Sequence, residues 1–99
     1  MDSQYQLKLK SQQNEKVYIF QLADGLNSKN SFRDKELLLA DELKIDDDDR
    51  VLVIQSNYGF LGVILGGKAD KVVMFDTSVR ACEFSRKNAE KNDLENYSV

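Results

Sequence analysis

"VLVIQSNYGFLG", Val51 to Gly62, is the stretch that decides the fold. Val51 to Ile54 form an unbroken apolar run, the pattern of a strand covered on both faces in a parallel sheet. "SNYG" reads as a turn. "FLGVILGG", residues 60–67, reads as a short apolar helix that Gly66 and Gly67 bring to an end. "KVVMF" is the next buried strand, closed by Asp76. "TSVRACEFSRKNAEKND" has helical spacing. Thr77 or Ser78 caps it, and Val79, Ala81, Cys82, Phe84, Ser85 and Ala89 supply its small and apolar faces. "YSV" then opens a third strand. The order β-α-β-α-β predicts an α/β protein with a partial Rossmann-like parallel sheet and right-handed crossovers.

Upstream, "YQLKLK" alternates Tyr5, Leu7 and Leu9 with polar residues, and "VYIFQL" supplies β-branched and aromatic ones. With the polar turn "SQQNEK" between them, residues 5–22 predict a β-hairpin. "ADGLNSKN" is a loop. A helix is expected from Ser31, which would cap it, with the Asp34 carboxylate near its positive end. Phe32, Leu38, Leu39 and Leu43 share its expected apolar face, widened by Leu37 and Ala40. The chain thus divides into residues 1–50, a hairpin and helix leading into the domain, and residues 51–99, the β-α-β-α-β unit, which resembles the first half of a cofactor-binding domain.

Composition narrows the chemistry. The chain has 99 residues and no histidine, proline or tryptophan, so the commonest general base and metal ligand is missing. A net charge of −3 disfavours strong nucleic-acid binding by this chain alone. The single cysteine, Cys82, excludes an internal disulfide, fits a reduced cytoplasmic setting, and has no histidine to activate it. The N-terminus has no signal-peptide pattern, and the longest apolar run, "FLGVILGG", is far short of the roughly 18 residues a membrane span needs. The run Asp46–Asp49 reads as a solvated linker, because neighbouring side chains point apart instead of folding round one cation. No metal site is expected.

Two stretches resemble phosphate-binding motifs. "GVILGGKA" approaches G-x-x-x-x-G-K-[ST], but Ala69 stands where the hydroxyl is needed and Val63-Ile64-Leu65 suits a helix packed on a sheet. "NYGFLG" is the stronger one: G-x-G-x-x-G with Asn57 in first place, then Gly59 and Gly62, between a strand and a helix. Asp76 ends the next strand, where an acid accepts hydrogen bonds from ribose hydroxyls; its alternative role is to cap the following helix. Asn is the non-glycine residue that best tolerates a left-handed backbone.

The acidic strand end followed by Ala81, Asn88, Ala89, Asn92, Leu94, Glu95 and Asn96 resembles class I S-adenosylmethionine-dependent methyltransferases. The likeness is to the N-terminal part of the ribosomal-RNA guanine and small methyltransferase group, and "ELLLADEL" upstream shares it weakly. The resemblance implies S-adenosylmethionine as cofactor, over a loop of Gln55, Ser56, Asn57, Tyr58, Gly59 and Phe60. It implies Asp76 as ribose ligand and Thr77 or Ser78 beside the adenine. It implies no general base, since methyl transfer rests on proximity. The family loop usually reads D-x-G-x-G-x-G; here Val53 replaces the acid, and Gln55 and Asn57 replace glycines, so weak cofactor binding is expected. A complete domain of this family has further strands and a substrate segment. The chain is therefore expected to be part of a longer RNA-modifying enzyme, inactive alone, with RNA engaged through the missing C-terminal part. The alternative is a degenerate, non-catalytic module that pairs with a second copy or a partner through its open sheet edge. A nicotinamide-dependent Rossmann enzyme would share the loop and Asp76 but not the asparagine-rich helix end.

Overall fold

In the computed structural model the described residues are 3–10, 15–22 and 30–99. They form β1 (Ser3–Lys10), β2 (Glu15–Leu22), α1 (Asn30–Glu42), β3 (Arg50–Ile54), α2 (Phe60–Gly66), β4 (Lys71–Phe75), α3 (Val79–Lys91) and β5 (Tyr97–Ser98). The turn and loop expected at 11–14 and 23–29 lie outside the described residues, as do the side chains of Tyr5, Leu9, Ser31 and Phe32. β1 and β2 pair antiparallel, with Tyr5 opposite Phe20 and Leu7 opposite Tyr18. β3, β4 and β5 form a parallel sheet in that order, with Val51 beside Val72 and Val72 beside Tyr97. This is the expected partial Rossmann-like sheet behind a hairpin and a helix.

The core lies on one side of the parallel sheet. Strand order follows chain order, so two right-handed crossovers carry α2 and α3 to the same face. Val53, Val72 and Met74 point towards the helices and are buried. The expectation of strands covered on both faces is therefore corrected. Leu52, Ile54 and Phe75 point the other way and are 61%, 66% and 53% exposed. Among the described residues no layer covers them.

α2 is apolar nearly all round because it is enclosed. Phe60, Val63, Ile64 and Leu65 meet the sheet, the hairpin and α1 within one core. Gly62 allows this approach: a Cβ there would run into the Met74 side chain. The Phe20 ring of β2 lies 4.9 Å from that of Phe60 and 6.0 Å from that of Tyr58, so aromatic contacts dock the hairpin on the start of α2. The decoy phosphate motif is helix through Val63–Leu65, and the Lys68 ammonium donates to the Ala40 carbonyl, tying the end of α2 to that of α1.

α1 corrects two further expectations. It begins at Asn30, so Ser31 lies inside the first turn, and Asp34 falls beyond it. Its buried side is Arg33 and Ala40, with Leu37 half-buried, whereas Leu38, Leu39 and Leu43 are exposed. The leucine run spans too wide an arc for hydrophobicity to select a side. The small Ala40 lets the helix approach α2, and packing chooses that side. Val79, expected on the packed face of α3, is likewise exposed.

Candidate functional site

The loop between β3 and α2 and the turn between β4 and α3 meet at the carboxyl ends of the parallel strands, where open α/β sheets bind ligands. Ser56 N donates to the Phe75 carbonyl at 3.0 Å, extending the pairing of the two strands one step past their ends. The Asp76 carboxylate then spans the junction. One oxygen accepts from Asn57 N at 3.0 Å and the other from Ser78 N at 2.9 Å. Asp76 does not cap α3; Ser78 does, its hydroxyl accepting from Ala81 N at 3.2 Å.

The loop keeps a glycine-type backbone without most of the glycines. Gln55 and Asn57 have φ of 60° and 57°, and Gly59 has φ of 90°. Such left-handed conformations cost a non-glycine residue about 1–2 kcal/mol, less for Asn than for Gln. Gly59 is irreplaceable on a second count, since a Cβ there would sit 2.9 Å from Ser85 Cα.

α3 grips the loop from below. The Ser85 hydroxyl donates to the Asn57 carbonyl at 3.1 Å and lies 2.8 Å from the Ser56 hydroxyl, which donates to it in turn. The Asn88 amide donates to the Tyr58 carbonyl at 2.6 Å. The half-buried Cys82 thiol donates to the Asp76 carbonyl at 3.3 Å. Ser85 and Asn88 are both 0% exposed.

The residues expected to hold a cofactor thus converge, but they do not present themselves alike. Ser56, Tyr58 and Phe60 turn into the core, and Gly59 is buried against α3, so these have only backbone to offer. Gln55, Thr77 and Ser78 are exposed, and Asn57 and Asp76 half-exposed. The carboxylate of Asp76 uses two of its roughly four acceptor sites on backbone, which leaves capacity for ribose hydroxyls. At the opposite end of the site Val53 is buried under the helices and supplies no polar group. The residues therefore fit the nucleoside half of the cofactor better than the methionine half. Two concavities lie elsewhere: one of about 380 Å³ between α1 and α2, lined by Leu37, Leu38, Ala40, Ile64 and Lys68 among others, and one of about 410 Å³ beside Gln21, Lys87, Glu90 and Lys91.

The asparagines of α3 and its C-terminal side have other roles. Asn92 both accepts from Ile19 N and donates to the Ile19 carbonyl, each at 2.9 Å. Asn88 does the same for Gln21, at 2.6 and 3.0 Å. Four helical residues rise about 6 Å and two strand residues about 6.8 Å, so two amides one turn apart match one edge of β2. Asn96 donates to the carbonyls of Gly66, Ala69 and Asp70 at 3.0, 3.0 and 2.9 Å, closing the α2–β4 turn. Sequence reasoning missed these contacts and the grip of Ser85. The available signal was polar Ser85, Asn88 and Asn92 lying in line with the apolar Ala81 and Ala89 on the packed side of α3.

The sequence matches the family described as methyltransferase small domain over residues 17–99. The chain belongs to that family. Fold similarity agrees. Methanocaldococcus jannaschii Trm5, solved in complex with adenosine, superposes with a TM-score of 0.69 at 17% identity over 83% of this chain and 26% of its own. A dimethyladenosine transferase from Plasmodium falciparum gives 0.58 at 28% identity, over 75% of this chain and 26% of its own. An rRNA methylase from Streptococcus thermophilus gives 0.55 at 24%, over 72% and 42%. The chain thus spans between 26% and 42% of the length of these structures. Among the described residues no helix is long and apolar enough to cross a membrane. The carboxylates of Asp46, Asp48 and Asp49 come within 4.8 Å of one another on an exposed turn, where Asp49 also accepts from Asp46 N.

Proposed function

We propose that this chain is the cofactor-side part of a cytoplasmic S-adenosylmethionine-dependent methyltransferase acting on RNA. By itself it binds the cofactor weakly and transfers no methyl group. The observation that carries this is the Asp76 carboxylate. It stands at the end of β4, held by Asn57 N and Ser78 N, so that the acid and the glycine-type loop form one preorganised unit. When bound, S-adenosylmethionine supplies the electrophilic methyl group. In this reading Asp76 accepts the ribose hydroxyls, and Thr77 and Ser78 border the adenine. The backbone from Gln55 to Phe60 lies beneath the methionine end, with the Gln55 amide its exposed polar group. The adenosine bound to the Methanocaldococcus jannaschii Trm5 supports a nucleoside site on this fold, and the rRNA methylase supports RNA as acceptor. Family membership favours this cofactor over a nicotinamide one.

Titration calorimetry with S-adenosylmethionine tests it. The expected result is weak binding that Asp76→Ala reduces by about 10-fold or more, the usual effect of losing hydrogen bonds to a charged group. Absence of heat at millimolar cofactor, with the protein folded, refutes the proposal.

A second reading, a structural module pairing with another copy, is favoured by the uncovered sheet face. Among the described residues β3 is a sheet edge, and Leu52, Ile54, Val73 and Phe75 form an exposed apolar patch beside it. Light scattering on the eluted protein reads this directly, and a strictly monomeric chain refutes it.

A further inference from the structure

We propose that Ser85 is a positioning residue for the cofactor loop, holding Asn57 in the left-handed conformation that glycine adopts unaided. This rests on the cofactor reading above for its purpose, but not for its geometry. A residue's φ and ψ are fixed when the peptide planes on either side of it are fixed. The plane before Asn57 is set by its N–H, which Asp76 accepts at 3.0 Å. The plane after it is set by its carbonyl, which receives the Ser85 hydroxyl at 3.1 Å. The Tyr58 carbonyl is held in the same way by Asn88, one turn along α3. Ser85 itself is 0% exposed; its one proton goes to the Asn57 carbonyl, which can only accept, and the Ser56 hydroxyl at 2.8 Å is then left to donate to it. Asn57 has φ of 57°, so backbone that glycine would adopt unaided is here pinned by a side chain from the neighbouring helix. Loss of glycine from the loop and a hydroxyl at position 85 are two halves of one arrangement. Gly59 is what lets α3 come close enough, with only 2.9 Å between its would-be Cβ and Ser85 Cα.

The test is a double-mutant cycle on the full chain with Ser85→Ala and Asn57→Gly, read by S-adenosylmethionine affinity and by NMR. The expected result is that S85A weakens binding about tenfold when residue 57 is Asn, and leaves it within about twofold in the N57G background, a coupling between the two sites. A residue that merely stabilises the fold would show the same loss in both backgrounds, and that outcome overturns the proposal. Backbone couplings and carbon shifts of Asn57 form the second arm and need no cofactor. Asn57 is expected to leave positive φ in S85A, and retention of positive φ overturns the proposal. If the wild-type chain binds no cofactor, the cofactor reading fails, while this arm still decides the role of Ser85. Should S85A fail to fold, Ser85→Cys, which offers only a weak donor, takes its place in both arms.

Discussion

At the scale of single residues, the loop shows how backbone geometry survives a change of side chain. Asn57 tolerates the left-handed turn better than Gln55 does, and bonds from Asp76 and Ser85 hold the peptide planes on either side of it. Asp76 was recognisable from its spacing, and so was its alternative as a helix cap. The structure gives the cap of α3 to Ser78 and ties the Asp76 carboxylate to Asn57 N and Ser78 N. Glu36 is a different kind of residue. Burial pushes its carboxyl up from 4.5 to about 7, and its Oε1 atom has no hydrogen-bond partner among the described residues. Between those two values the folded chain keeps a proton that the unfolded chain has lost, so this group's contribution to stability falls as pH rises through the window. Glu36→Gln is expected to raise the melting temperature at pH 8 and to change it much less at pH 5. Thermal unfolding at the two pH values checks this; equal shifts at both would contradict it.

At the scale of elements, α3 is the organiser. The hairpin is held by aromatic contacts on one side and by two amides on the other. Which amide matters more is decided by solvent. Asn88 is fully buried, and its loss strands Gln21 N, the Gln21 carbonyl and the Tyr58 carbonyl, whereas Asn92 is half-exposed and water can replace it. Asn88→Ala is expected to destabilise the chain by about 2–4 kcal/mol and Asn92→Ala by about 1 kcal/mol or less, from the cost of unpaired buried polar groups. Denaturant unfolding measures both, and hydrogen exchange at Gln21 should accelerate in the first variant. The asparagine pattern that carried the family resemblance is thus a set of clamps, and its contacts in the structure are with the chain's own backbone. α1 was legible as a helix, but its inward side was not, because Leu37, Leu38 and Leu39 are equivalent in sequence and differ only in what they face.

At the scale of the molecule, the decisive feature is that α2 and α3 share one face of the sheet. Leu52, Ile54, Val73 and Phe75 follow strand alternation as faithfully as the buried residues between them, yet meet no layer among the described residues. If a second copy covers this face, Leu52→Glu with Phe75→Glu is expected to render the chain monomeric, with a melting temperature near that of the wild-type monomer at high dilution. Both side chains are already mostly exposed in the single chain, so little packing is lost within it. Light scattering and thermal unfolding on the same sample check the two halves; a drop in stability of the monomer would mean the face packs within the chain.

What the sequence determined by itself was periodicity and punctuation. Apolar runs, turn glycines and the spacing of Asp76 from Asn57 are local, and local pattern suffices to order strands and helices and to point at the strand ends. The tertiary structure decided everything that depends on which surfaces meet: the one-sided core, the inward side of α1, the amide clamps on β2, and the grip of Ser85 on Asn57. These are contacts between residues far apart in the chain, and no window along it contains both partners. A buried serine looks like a small core residue until the carbonyl it serves is brought above it.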